Sequence, residues 1–135
     1  MTPLDSSDSY VQFYLNQLKN GDFESAFHSL TEVGYCVVPK LIDAFRAEVS
    51  APVRAELVRI IWNHRRPESA EFLGEALHDP KPEVWKAAID GLVTLGTPSA
   101  LEHLESALRR EYQNKKASEV FRTWVTEAIE QVRAG

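Results

Sequence analysis

The chain has 135 residues and a formal net charge of −5, and 44% of its residues are hydrophobic. This length suits one compact domain, which we expect to span residues 1–135. The negative charge disfavours a general nucleic-acid binder, because such proteins use cations to neutralise phosphates. Cys36 is the single cysteine and cannot form an internal disulfide. The sequence also has no leader-like segment and no long apolar run, so we expect a cytoplasmic location.

Apolar residues recur at helical spacing, and turn residues interrupt them about every 15 residues. Asp22 is an expected helix N-cap, Pro52 suits a first helical turn, and Gly34 and Gly96 are expected to end helices. The pattern predicts eight helices, near residues 8–19, 22–33, 37–48, 51–64, 67–78, 81–95, 98–112 and 117–133.

The apolar positions of each helix predict its buried side. In the eighth helix the expected stripe consists of Val120, Trp124, Ala128 and Val132. Cys36 follows a predicted helix end and precedes two valines, so it is expected to be a small buried apolar residue without a catalytic role.

Two columns of residues repeat at an interval of thirty-one positions. Leu30, Ile61 and Leu92 form one column, and Val33, His64 and Leu95 form the other. A fixed interval of this size is typical of stacked helical repeats, so we expect the first column to be buried at equivalent places. The connection at 109–116 is longer than its counterpart at 78–80, as expected for a terminal repeat.

One helix pair carries a recognisable pattern. Asp79 and Pro80 precede a helix with Val84, Ala88 and Leu92, which ends at Gly96, and a return helix follows from Leu101 to Leu108. Over about residues 22–133 this pattern resembles the HEAT-repeat family, in particular its short bacterial HEAT-like branch. The resemblance implies an all-α fold, a right-handed α-α superhelix of about four helix pairs whose second helices line the concave face.

Two features depart from that family or point beyond it. The family commonly has Arg just after the buried valine, and Arg54 keeps this pattern whereas Trp85 breaks it. Residues 20–26 also look like part of a tetratricopeptide unit. The interval of thirty-one and the Asp-Pro helix start favour HEAT repeats.

The sequence predicts no catalytic, cofactor or metal site. The six glycines form no nucleotide-binding loop, and the four histidines lack metal-ligand spacing relative to each other or to Cys36. The carboxylate pairs Glu68/Glu71 and Glu102/Glu105 fall on predicted exposed helix faces, where a solvated surface is the default interpretation.

Candidate binding residues lie after the start of each second helix, where the column reads Phe23, Arg54, Trp85 and Phe121. Aromatic and arginine side chains are common binding anchors. The alternative is that these side chains pack between repeats.

Charge is also unevenly distributed. Residues 51–66 contain four arginines against Glu56, whereas 67–80 contain four acidic residues and no lysine or arginine. One interpretation is that these charges pair across adjacent helices. The other is a patch that recognises an acidic partner surface, formed by Arg54, Arg59, Arg65 and Trp85.

The sequence therefore predicts a non-catalytic protein–protein interaction module that acts as an adaptor, a regulator or a neutralising partner of another protein. Two alternatives come from the HEAT-like family. One is a DNA-binding or repair glycosylase-type protein, for which Arg59, Trp62, Trp85 and Asp90 are the candidate residues. The other is a protein that handles a chromophore, like the phycobilin lyases.

Overall fold

The computed structural model describes residues 6–111 and 114–135, and these residues form eight α-helices and no strand. This confirms the predicted all-α class. The helices are α1 (Ser6–Lys19), α2 (Phe23–Glu32), α3 (Val38–Ala47), α4 (Ala51–Asn63), α5 (Ser69–Ala76), α6 (Pro82–Leu95), α7 (Pro98–Ala107) and α8 (Lys115–Ala134). The predicted long connection at 109–116 includes residues 112 and 113, which lie outside the described residues.

Side chains and backbone geometry at the helix ends explain several of these boundaries. Asp22 Oδ1 accepts a hydrogen bond from the Ser25 N–H at the start of α2, as the sequence predicts. Thr97 Oγ1 accepts from the Ala100 N–H at the start of α7. Gly96 ends α6 with a left-handed backbone, at φ 59°, a conformation that glycine adopts without steric cost.

The even-numbered helices α2, α4, α6 and α8 pack side by side in chain order and form what we call the second-helix layer. Each of them also packs against the first helix of its own pair, and α5 packs against α7 on the other side. The molecule is thus a helical solenoid, because each helix pair stacks on the next and buries a continuous core between them.

The predicted column of Leu30, Ile61 and Leu92 is fully buried, which confirms the repeat interval. The second column is less buried, and its middle member makes a specific contact. The Nε2 atom of His64 lies 2.9 Å from the carbonyl oxygen of Leu30. Because a carbonyl oxygen can only accept, Nε2 carries the proton and ties the end of α4 to α2.

One core prediction is partly wrong and another is wrong. In α8 the buried residues are Ser118, Phe121, Val125, Ala128 and Ile129. Ala128 is thus buried as predicted and Val132 packs against the core, but Phe121 and Val125 take the places expected for Val120 and Trp124, because α8 packs against both α6 and α7.

In α8, Val120 is 43% exposed and Trp124 is 39% exposed, although both were expected in the core.

The second wrong prediction is the burial of Cys36. This residue lies in a 3₁₀ turn, Tyr35–Val37, that buries Val37 and leaves the thiol exposed.

Candidate partner-binding surface

Arg54, the first of the four predicted binding residues, is held in an ion pair. Its Nε and Nη2 atoms donate to the two carboxylate oxygens of Asp79 over 3.0 and 3.2 Å, and its Nη1 donates to the carbonyl oxygens of Glu48 and Val49. The side chains of Arg54 and Asp79 are only 14% and 9% exposed. Arg54 therefore joins the α3–α4 turn to the α5–α6 turn, and its charge is already neutralised.

Trp85, the second of these residues, is not on the surface. It is 2% exposed, and its ring meets that of Phe121 edge to face, with a centroid separation of 5.0 Å. Phe121 is fully buried. The expectation that Trp85 projects from the surface is wrong, because the longer α8 brings an aromatic side chain against it and closes the position.

Arg59 and Arg65 are the two predicted binding residues that are exposed. The Nη1 atom of Arg59 donates to Glu56 Oε2 over 3.1 Å, one turn earlier on α4. Arg65 lies in the α4–α5 turn with φ 53°, which is rare for a residue other than glycine. Whether either residue contacts a partner stays a prediction.

Most charged side chains of the basic segment 51–66 and the acidic segment 67–80 form ion pairs with each other or with neighbouring residues. Besides the pair between Arg54 and Asp79, Arg46 forms a bidentate pair with Glu75 and Arg66 pairs with Glu68. The interpretation that these charges pair across adjacent helices is therefore confirmed for Arg54 with Asp79, whereas Arg66 pairs with Glu68 inside one turn and Arg59 with Glu56 inside α4. The two carboxylate pairs of the sequence analysis, Glu68/Glu71 and Glu102/Glu105, are exposed as predicted.

A cleft of about 350 Å³ crosses the second-helix layer between α4, α6 and α8. We call it the layer cleft. Its walls include Trp62 from α4, Asp90 and Val93 from α6, and Trp124 and Glu127 from α8. No lysine or arginine is among the described residues that line it.

The carboxylate of Asp90 is the electrostatic centre of this cleft. Burial raises the pKa of the Asp90 carboxyl above its usual value, and the nearby Arg59 guanidinium offsets only part of the rise. Arg59 and Asp90 are thirty-one positions apart and so occupy the same place on adjacent helices of the layer. Within residues 6–111 and 114–135, no side chain forms a hydrogen bond or an ion pair with the Asp90 carboxylate. The burial is only partial, because Asp90 is an exposed residue, so its unpaired carboxylate is open to a ligand.

Two indole rings line the same cleft. Trp62 is half-buried and packs against Gly91, where an added Cβ would lie only 2.8 Å from Trp62 Cγ. The Nε1 atom of Trp62 is buried and has no hydrogen-bond acceptor in the described part of the chain. Trp124 is the more exposed ring, and Lys86 Nζ lies 4.7 Å from its centroid.

The structure thus separates the four predicted binding residues and brings together a different set. Trp62 and Asp90 were singled out only for the DNA-repair alternative, and they do line one cleft, with Arg59 beside it. Trp124 and Glu127 were missed, because the error in the α8 register assigned Trp124 to the core. The usable signal was the presence of two possible apolar stripes in α8.

In the described parts of the chain, no group of three or more His, Cys, Asp or Glu side chains could hold a metal ion. None of the described helices combines the length and the apolarity needed to cross a bilayer. A family model for HEAT repeats matches residues 38–130, from the start of α3 into α8. A comparison with curated proteins finds no match.

Proposed function

The chain belongs to the HEAT-repeat family, and we propose that it is a non-catalytic protein-binding module that uses its second-helix layer. HEAT repeats commonly mediate protein interactions. The observation that carries the proposal is the layer cleft, where Trp62, Trp124 and the unpaired Asp90 meet on a solenoid surface. We propose that residues 1–135 act as one such module. A cytoplasmic location stays a prediction.

The exposed Trp124 supports this proposal on energetic grounds. A large, rigid ring buries much area on binding and loses little rotamer freedom, so it is a frequent anchor of interfaces. Trp124 satisfies this description, since it is partly exposed and its ring meets that of Trp85 edge to face, with centroids 6.1 Å apart.

The proposal is tested by capturing partners from the native host and measuring each purified partner against variants. We expect Trp124→Ala to weaken the affinity for the partner by about tenfold or more, as loss of an interface anchor does. The matched control is Glu102→Gln, which removes a charge from exposed α7 outside the cleft and should leave affinity unchanged. A partner that binds both variants as wild type would refute the assigned surface.

The expectation that the chain binds an acidic partner surface remains a hypothesis, with fewer binding residues than the sequence suggests. It now rests on Arg59 and Arg65, because Arg54 is neutralised and Trp85 is buried. Arg59→Glu should slow association with an acidic partner and reduce the salt dependence of its rate. Unchanged kinetics would remove this hypothesis.

One observation favours a DNA-binding function as the second candidate. Two indole rings and a carboxylate in one cleft are also a suitable environment for an extruded base. The net charge of −5 and the lack of cations among the described lining residues weigh against it. Duplex and single-stranded oligonucleotides at low salt provide the test, and salt-dependent binding lost in Asp90→Asn and Trp124→Ala would favour this candidate. An absorbance spectrum of protein from the native host tests the chromophore-handling alternative.

A further inference from the structure

The layer cleft combines three features that favour one kind of ligand. It has two aromatic side chains, two carboxylates and, among its described lining residues, no cationic group. The faces of aromatic rings carry partial negative charge. Asp90 and Glu127 add formal negative charge, so both charged side chains that line the cleft would repel an anionic occupant.

The aromatic part of the cleft already accepts a cation of the chain itself. Lys86 Nζ lies 4.7 Å from the centroid of Trp124 and 5.7 Å from that of Trp85. Both distances are within the range of about 6 Å over which a cation is attracted to a ring. Lys86 is not one of the residues that line the cleft.

The carboxylate of Asp90 adds a reason for the cleft to bind a cation. Asp90 is an exposed residue, and its carboxylate forms no ion pair or hydrogen bond with the described side chains. Arg59, the cation whose charge acts on it, is hydrogen-bonded to Glu56 instead. An incoming cation would therefore meet a carboxylate that no described side chain already pairs with.

We propose that the layer cleft binds a lysine or arginine side chain of a partner protein. The proposal rests on the proposed function and specifies its partner as a protein with a basic segment. The volume of about 350 Å³ is near the lower limit of small-molecule sites, which suits one long side chain entering from an open surface. The chain's net charge of −5 also favours encounter with a basic segment.

The test uses short capped peptides that differ at one central residue, which is lysine, arginine, norleucine or glutamate. Norleucine keeps an apolar stem without a charge. The readout is the indole N–H resonances of the three tryptophans, assigned with single Trp→Phe variants. We expect lysine and arginine peptides to shift the Trp62 and Trp124 resonances with millimolar affinity, and the norleucine and glutamate peptides to have much weaker effects.

Two substitutions complete the design. Asp90→Asn should weaken the affinity for the lysine and arginine peptides by about tenfold, whereas Glu102→Gln should leave it unchanged. Urea unfolding of both variants checks that they are folded. Equal binding of the norleucine peptide, or unchanged binding by folded Asp90→Asn, would overturn the proposal.

The same experiment separates this inference from the proposed function. If Trp124→Ala weakens the binding of a purified partner but no cationic peptide binds, the protein-binding function is supported and the cation site is refuted. If cationic peptides bind but no partner is sensitive to Trp124→Ala, the cation site is retained and the proposed interface fails. Oligonucleotide binding that resists competition by the lysine peptide would favour the nucleic-acid alternative and overturn the inference.

Discussion

Arg54 and Asp79 form a bidentate ion pair that connects the turns of two consecutive helix pairs. The arginine also donates to two carbonyl oxygens of its own turn, and Asp79 accepts from the Lys81 N–H. Four of the five N–H groups of the Arg54 guanidinium and both carboxylate oxygens of Asp79 thus have partners, although both side chains are mostly buried. From the sequence, Arg54 could either bind a partner or pack between repeats. The ion pair with Asp79 assigns Arg54 to the contact between repeats.

Removing one partner of this pair should be costly. Arg54→Ala leaves the Asp79 carboxylate buried without its counter-charge, so we expect the free energy of unfolding to fall by about 3–5 kcal/mol. The structure offers a matched control, since Arg46 and Glu75 form an equally bidentate pair with exposed side chains. Arg46→Ala should cost under about 1 kcal/mol. Similar urea midpoints for the two variants would contradict the structural role of Arg54.

The buried column provides a second prediction. Leu92→Ala removes a fully buried side chain and should lower the free energy of unfolding by about 2–5 kcal/mol, through lost transfer energy and a cavity. Glu102→Ala, on the exposed face of α7, should change it by less than about 0.5 kcal/mol. Equal losses would show that the register of the repeat is misassigned.

The repeat column was predictable from sequence because its signal is redundant. Leu30, Ile61 and Leu92 each lie on an apolar helix face, and the fixed interval lets each position support the others. Helix type and turn chemistry are local properties of the same kind. Asp22 and Gly96 accordingly perform the predicted roles at the ends of α2 and α6.

The functional surface was harder to predict because it depends on which helix covers which side chain. Trp85 has the same sequence register as Arg54, yet α8 brings Phe121 against its ring. In α8 itself, apolar residues occupy two adjacent stripes, and hydrophobicity alone does not choose between Val120 with Trp124 and Phe121 with Val125. Contact with two neighbouring helices decides it, and that contact is a property of the assembled layer.

The two tryptophans in contact at the α6–α8 junction should respond differently to truncation. Trp85 is nearly inaccessible, so Trp85→Ala should lower the free energy of unfolding by about 3–5 kcal/mol. Trp124→Ala should cost less than half as much and act mainly on binding, because its ring is partly exposed. Thermal or urea unfolding measures both. A larger loss of stability at Trp124 would contradict the observed α8 register.

Asp90 should reduce stability at neutral pH. Its folded pKa lies above the ordinary value of 3.8 because of burial, so between these two values the folded state binds more protons than the unfolded state. Stability therefore falls as pH rises through that interval, and the loss persists above it. Asp90→Asn should be more stable than wild type at neutral pH, and this advantage should disappear below pH 3.8. Urea unfolding across this range measures the difference, and a constant difference would refute the linkage to Asp90.

Arg65 occupies a backbone position that glycine would fill with less strain. It lies thirty-one positions before Gly96, and both residues follow a second helix with positive φ, at 53° and 59°. Arg65→Gly should raise the free energy of unfolding by up to about 1 kcal/mol. The reason is that relief of about 1–2 kcal/mol of left-handed strain exceeds the extra freedom that glycine gives the unfolded chain, about 0.4–1 kcal/mol.

Two controls separate the backbone effect at this position from the side chain. Arg65→Ala removes the charge but keeps the strain, so it should give no such gain. Arg59→Gly places glycine inside α4 and should lower stability by about 1 kcal/mol. If Arg65 also contacts an acidic partner, Arg65→Gly and Arg65→Ala should weaken the affinity for that partner equally, because both remove the guanidinium. A gain in stability from Arg65→Ala as large as that from Arg65→Gly would show that the side chain, and not the left-handed backbone, limits stability in this turn.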